Sequence, residues 1–436
     1  MRPLRFHAAV PVSLALFGAL HASAADDGPP PPVFLSLPNG VDIVNQIRPG
    51  SGTFAMRLTI VGGRCEDPES KQGASDLLAR MLLRASGKTS ATDRFSALER
   101  AGVTLDSFAT GTRVELVANG LSSGFEAAMP LVVEAARGAK LEPAEITREV
   151  TLARQTLAGA ADDPGDALRR AAAAAIYQDH CLGKGPGEPS QWLAGVDAGV
   201  LRGILDERLV GWRVIFTVVG DVDTDLVQRM AGMLLGDLPP GDPAFLPLDT
   251  PKPLNEERRI RVKRKTSQPV VLVALPTHGI RDEDVPAMDL LAQILGGFQE
   301  RLSYEIREKR GWAYWLGVRD ERLPGAGSFG VMTAVPKKRL EETERLIREG
   351  LEKIAKEPPS DEEMGRARRF LATQRARAAQ SADASAALIV RNLIADAPLR
   401  SLDEEAARSE AVTPEAVRAL ARRLLDGSSC AVLTMY

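Results

Sequence analysis

The hydrophobic pattern along this chain changes between a period of two residues and a period near 3.6 residues. The first period is typical of half-buried strands and the second of amphipathic helices. Strands are predicted at 41–46 and 54–61, within 104–119 on both sides of a polar turn, and at 214–219. Between them, the helical period predicts helices at 73–84, 91–101, 125–137, 143–158, 171–177 and 198–209.

The same order of segments recurs after a proline-rich stretch. A helix, a glycine and a strand end both halves, at Val219 and at Met435, which is typical of a duplicated unit. Because strands and helices do not alternate strictly, we predict an α+β fold of two tandem homologous halves. Each half is expected to be a mixed, mainly antiparallel sheet with helices packed on one face. In the second half the predicted strands lie at 260–262, 270–275, 314–318, 328–334 and 430–435, and the helices at 285–309, 340–354, 361–380 and 414–425.

The chain starts with a segment that resembles an export signal. Residues 1–24 begin with arginines, continue as a short apolar stretch and end in an Ala-Ser-Ala cleavage signature. We therefore expect a periplasmic protein without membrane insertion after signal cleavage. The remaining segments are predicted as a Pro-rich leader at 25–35, an N-terminal half at 36–238, a linker at 239–257 and a C-terminal half at 258–436.

The composition limits which partners and metal sites are expected for this chain. A formal net charge of −3 argues against nucleic acid as a partner. Cys65, Cys181 and Cys430 lie far apart, and no pairing among them can be inferred from the sequence. Outside the signal segment the histidines are His180 and His278, both in turn-like sequence, so a zinc site built on histidines of this chain is not expected.

The helix predicted at 73–84 carries two charged residues, Asp76 and Arg80, one turn apart. An H-x-x-E-H zinc motif would place its two histidine ligands at the same spacing. Two interpretations follow from the residues alone: an i, i+4 ion pair on a solvated helix face, or the remnant of an active site.

Several further segments together resemble the pitrilysin/insulinase group of inverted-motif zinc peptidases, in its short bacterial, mitochondrial-processing-peptidase-like branch. The resemblance covers essentially the whole mature chain. Its most specific part is the run from Arg307 to Tyr314. The other segments are 37–40 (Leu-Pro-Asn-Gly), 73–81, 162–164 (Asp-Asp-Pro), 219–221 (Val-Gly-Asp) and 295–302.

Active members of that family bind zinc through two histidines and a distant glutamate, and a further glutamate is the general base. The resemblance places the histidine positions at Asp76 and Arg80, the base at Ala79 and the distant ligand near Thr156. A supporting glutamate of the family matches Glu149. The guanidinium of Arg80 would repel a cation, so we expect no metal in this chain.

Arg307 and Tyr314 keep the spacing of an arginine and a tyrosine that bind the substrate backbone in active members. The resemblance thus implies the zinc-free subunit of a heterodimeric peptidase, with zinc in an H-x-x-E-H-bearing partner and a peptide as substrate. Without the resemblance, Arg307 would complement a helix C-terminus and Tyr314 would pack between Trp312 and Trp315. The alternatives for the whole protein are a non-catalytic peptide-binding or assembly protein of the same fold, or an enzyme with unusual ligands.

Overall fold

The structure is a computed structural model. It describes residues 30–162, 164–184, 192–242, 250–263, 266, 268–277, 281–297, 300–323, 325–426 and 429–436. The predicted signal peptide, His278 and residues 243–249 of the predicted linker lie outside these ranges. Among the described residues, none of the helices has the length and apolar character needed to cross a membrane.

The first sheet has six strands in the spatial order β1-β2-β6-β3-β5-β4. Strands β2 and β6 pair in parallel, and the other neighbours are antiparallel. The strands are β1 (Val33–Ser36), β2 (Asp42–Ile47), β3 (Thr53–Val61), β4 (Val103–Ala109), β5 (Arg113–Leu121) and β6 (Val214–Gly220).

The second sheet repeats this topology in the order β7-β11-β8-β10-β9, and the described residues contain no counterpart of β1. Strands β7 and β11 pair in parallel, at the position that β2 and β6 occupy in the first sheet, and the other described neighbours are antiparallel. This correspondence confirms the predicted fold of two homologous, mainly antiparallel halves. The strands are β7 (Arg258–Val262), β8 (Val270–Pro276), β9 (Leu316–Leu323), β10 (Ala326–Ala334) and β11 (Ala431–Met435).

Helices follow the strands in a matching order in the two halves. The N-terminal half contains α1 (Ala74–Leu82), α2 (Ala91–Arg100), α3 (Phe125–Arg137), α4 (Pro143–Asp162), α5 (Pro164–Tyr177), α6 (Ala198–Arg208) and α7 (Thr224–Leu235). The C-terminal half contains α8 (Val285–Gly296), α9 (Arg301–Ser303), α10 (Leu340–Lys356), α11 (Asp361–Ala379), α12 (Ala382–Ile394), α13 (Leu402–Ala411) and α14 (Pro414–Asp426). Short 3₁₀ turns lie at Arg64–Glu66, Glu69–Lys71, Ser122–Gly124, Gly211–Arg213, Asp282–Asp284 and Lys337–Arg339.

Each sheet buries one face against helices of its own half. In the first half this core joins β3 side chains such as Phe54 and Leu58 to α1 and α3, and Phe54 meets Phe125 edge to face at 5.2 Å. In the second half the core joins Val273 and Phe329 to α8, α10 and α14. Burial of such apolar faces is the main term that stabilises sheets packed on helices.

The opposite face of each sheet is covered by a helix from the other half. Helix α12 packs on β3 and β6, while α5 packs on β11, β7 and β8. Arg57 of β3 donates to Asp383 of α12 at 2.7 Å, and Tyr177 of α5 donates to Glu321 of β9 at 3.0 Å. The two halves therefore exchange equivalent helices.

The prediction of one long helix at 285–309 is wrong in its second part, because α8 ends at Gly296. A Cβ at Gly296 would lie 2.3 Å from Cγ2 of Val318, so this glycine permits close packing of α8 on β9. Gly297 is extended, with ψ of 161°, and the chain re-enters a helix at α9. Helix α9 continues into a π-helical turn at Tyr304–Glu308.

Candidate functional site

The N-terminus of α1 is held by a buried charged pair. Gly73 adopts φ of 90°, and a Cβ there would lie 2.2 Å from Nε1 of Trp192. The carboxylate of Asp67 accepts the backbone N–H groups of Gly73 and Ser75, at 3.0 and 3.1 Å. Arg208 donates to the Ser75 hydroxyl at 2.8 Å and lies 3.5 Å from the Asp67 carboxylate. These contacts fix the start of the helix and bring Asp67 and Arg208, which no sequence motif indicates, to the segment 73–81.

Within the described part of the chain, Asp76 and Arg80 do not form the ion pair that their spacing would allow. Nε of Arg64 lies 3.1 Å from the Asp76 carboxylate, and Arg80 lies 3.8 Å from Glu149. Burial raises the pKa of Asp76 to about 6, although Arg64 and Arg80 act in the opposite direction. The i, i+4 interpretation is therefore wrong, since tertiary contacts supply other partners.

Glu149 of α4 is a second buried acidic side chain near α1, 2% exposed. It is also bonded to Arg84, which follows α1 in the chain. Two guanidinium groups thus neutralise a carboxylate that water cannot reach, as a buried charge requires.

The side chains at the family's metal positions do not fit zinc. Ala79 has no donor atom in its side chain, and its backbone carbonyl accepts a hydrogen bond from Ser107 at 2.6 Å. The Thr156 hydroxyl donates to the carbonyl of Leu152 at 2.9 Å within α4. No group of three or more His, Cys, Asp or Glu side chains among the described residues could hold a metal ion.

Arg307 lies in the π-helical turn that follows α9. Its Nε and Nη2 atoms both donate to one oxygen of Glu308, at 2.8 and 2.6 Å. The side chain remains 19% exposed. Single π-helical turns interrupt regular helices and are frequent at functional sites.

Tyr314 lies just before β9, not within the strand predicted at 314–318. The residue is 86% exposed, so the interpretation in which it packs between Trp312 and Trp315 is wrong. The loop before it is folded back on the π-helical turn, with the N–H of Gly311 bonded to the Arg307 carbonyl at 3.0 Å. Tyr314 therefore follows a short loop that is anchored to the turn carrying Arg307, and both residues lie in the C-terminal half.

A disulfide joins Cys65 to Cys181, with their Cα atoms 5.0 Å apart, and leaves Cys430 buried as a thiol. Cys65 follows Arg64, the partner of Asp76. Cys181 lies beyond the C-terminus of α5. The disulfide thus connects the loop next to α1 with the helix that packs on the other half's sheet.

Comparison with known proteins identifies the family. The model for insulinase (peptidase family M16) matches residues 43–190, and the model for the peptidase M16 inactive domain matches residues 198–371. The chain belongs to the insulinase (M16) peptidase family. The predicted resemblance is confirmed at this level, and α1, Asp76 and Arg80 lie within the first matched range.

Relatives of the M16 family extend over nearly the whole chain. An uncharacterized zinc protease of Streptomyces coelicolor is 28% identical over 403 residues, covering 89% of this chain and 86% of that protein. One from Mycobacterium tuberculosis is 25% identical over 396 residues, covering 90% of each.

Two solved structures share the fold. A peptidase M16 inactive domain from Pseudomonas fluorescens has a TM-score of 0.83 at 20% identity, covering 93% of this chain and 98% of that one. A protease from Helicobacter pylori has a TM-score of 0.84 at 15% identity, covering 93% and 99%. At these identities the likeness concerns the fold alone.

Proposed function

We propose that this chain is the zinc-free subunit of a heterodimeric M16 peptidase that cleaves peptides. Its partner carries the H-x-x-E-H helix with the zinc ion and the general base. This chain supplies Arg307 and Tyr314, which bind the substrate backbone. The observation that carries the proposal is the high exposure of Tyr314, next to a loop that is hydrogen-bonded to the turn carrying Arg307.

The α1 region supports the assignment of zinc to a partner. Arg80 stands where the family places a metal ligand, and it faces the buried Glu149 carboxylate. A guanidinium in that position has the charge of a cation and none of the lone pairs that zinc requires. The names of the relatives as zinc proteases support a peptidase as the assembly in which this chain acts.

Arg307 and Tyr314 suit the stabilisation of a peptide carbonyl. A guanidinium and a phenol are both hydrogen-bond donors, and the carbonyl oxygen becomes anionic in the tetrahedral transition state. Donors fixed in advance on a folded turn lower the barrier because they need little reorganisation during the reaction. The chain alone therefore binds peptides without cleaving them.

The test is reconstitution with the H-x-x-E-H protein encoded in the same genome. Each protein alone should leave a quenched fluorescent peptide intact, and the mixture should cleave it. Arg307→Ala or Tyr314→Phe should then lower kcat/KM of the mixture by about 10²-fold, as for loss of an oxyanion donor. Arg345→Ala and Tyr436→Phe are matched controls, since they remove the same groups elsewhere in this half.

Full activity of the Arg307→Ala/Tyr314→Phe double variant would refute the catalytic role. Stable association without any cleavage would favour the peptide-binding or assembly alternative. Co-purification from the native organism shows whether the protein used in the mixture is the true partner.

We also propose that the protein is exported to the periplasm, where residues 1–24 are removed. The Cys65–Cys181 disulfide supports this proposal, because structural disulfides persist in oxidising compartments. Mass spectrometry of the native protein should find a chain that begins at Ala25 and carries the disulfide. A native chain that keeps residues 1–24 and has free thiols would refute export.

A further inference from the structure

Trp312 occupies an unusual position in the loop between Arg307 and Tyr314. Two guanidinium groups lie over its ring, with Cζ of Arg310 at 5.3 Å and Cζ of Arg339 at 4.5 Å from the ring centroid. Both distances are within the range of cation–π attraction. The indole also packs against the core of the C-terminal half, so it links the loop to that core.

Each arginine has its own carboxylate, which allows two cations to share one ring. Arg310 forms an ion pair with Glu305 and donates to the Glu305 backbone carbonyl at 2.9 Å. Arg339 lies just before α10 and pairs with Glu342 of that helix at 2.8 Å. The ring is therefore held from the π-helical turn and from α10 at the same time.

The backbone on both sides of Tyr314 is fixed, while its ring has little contact with the chain. Ala313 is 7% exposed, and the N–H of Trp312 donates to the carbonyl of Ile306 at 3.1 Å. On the other side, the buried Thr333 hydroxyl donates to the carbonyl of Trp315. The position of the phenol is thus set by the loop, since the ring has few neighbours of its own.

We propose that Trp312, held by Arg310 and Arg339, is a positioning residue that sets the place of Tyr314. The proposal rests on the substrate-binding role of Tyr314 given above and adds the residue through which the fold controls it. In this proposal Trp312 makes no contact with the substrate. Its effect on catalysis passes through the Tyr314 phenol.

The first experiment uses this chain alone and is independent of any partner. The sequence has four tyrosines, so incorporation of 3-fluorotyrosine gives a simple ¹⁹F NMR spectrum in which Tyr314→Phe assigns the Tyr314 signal. Trp312→Ala should shift and narrow that signal, and Trp312→Phe should restore much of the wild-type spectrum. Arg339→Gln keeps the ring and removes one cation, so its change should be smaller and in the same direction.

Lys337→Ala is the matched control, because it removes a cation–π contact of Lys337 with Tyr436 at 4.4 Å in the same half. It should leave the Tyr314 signal in place. An unchanged Tyr314 signal in both Trp312→Ala and Arg339→Gln would overturn the proposal.

The second experiment is a double-variant cycle in the reconstituted peptidase. Trp312→Ala should lower kcat by about tenfold or more, with a much smaller effect on KM, since misplacement of a catalytic group acts mainly on the transition state. In a Tyr314→Phe background the same substitution should have no further effect. An equal loss in both backgrounds would overturn the proposal. If the wild-type mixture is inactive, the proposed function fails, and the ¹⁹F spectra still decide the role of Trp312.

Discussion

Asp76 offers a direct test of the electrostatics around α1. Its side chain is 25% exposed, and its carboxylate pairs with Arg64 and lies near the negative charge of Asp67. Burial dominates over these charges and raises its pKa from 3.8 to about 6. The perturbation that isolates this effect is Asp76→Asn, which keeps the shape of the side chain and removes its titration.

Proton linkage decides whether the free energy of unfolding rises or falls with pH. An acid with a higher pKa in the folded state binds its proton more tightly there, so folding is favoured at low pH. The free energy of unfolding of the wild type should fall as pH rises from about 4 to about 6. The pKa difference corresponds to a change of about 3 kcal/mol over that window.

Urea unfolding at several pH values between 4 and 7 measures this change. Over this pH range, the free energy of unfolding of the wild type should fall by about 3 kcal/mol more than that of Asp76→Asn. Asp225→Asn makes the same chemical change at an exposed position of α7 and serves as the control. Parallel curves for the wild type and Asp76→Asn would refute the reasoning, because they would mean that burial does not control this carboxylate.

Two further predictions concern the supports of α1. Arg208→Met leaves the buried carboxylate of Asp67 without its cation, so the free energy of unfolding in urea should fall by about 3–5 kcal/mol, whereas the exposed Arg345→Met should change it little. A loss as small as that of the control would refute the importance of this pair. Cys65→Ala/Cys181→Ala should lower the free energy of unfolding by about 2–5 kcal/mol under non-reducing conditions. Dithiothreitol should bring the wild type to the level of the double variant, and a wild type insensitive to the reductant would contradict this expectation.

Hydrophobic periodicity predicted most strands and helices because they bury a face against their own half. Helix α12 was not predicted, although Ser381 caps its N-terminus. Its buried Ala386 and Ile389 pack on Val44 and Val219, which belong to the other half's sheet. Alanine gives a weak hydrophobic signal, and no local pattern indicates a partner so distant in the chain.

Within the candidate site, contacts between residues close in sequence can be predicted from spacing, and contacts between distant residues cannot. The spacing of Arg307 and Tyr314 can be read from the sequence because only a short loop separates the π-helical turn from Tyr314. The partners of Asp76 and Arg80 cannot, because Arg64 comes from a preceding loop and Glu149 from α4. Once such partners are supplied by packing, the spacing within a helix does not decide which charges meet.

The exchange of α5 and α12 has an evolutionary consequence. After a gene duplication, two copies that merely adjoin can drift apart, be lost singly or be shuffled into other proteins. Here each copy completes the other, since α12 covers β3 and α5 covers β11. Selection therefore acts on the two halves together, while the surfaces outside the exchanged helices are free to change. Neither half can therefore be removed without exposing one face of the sheet in the half that remains.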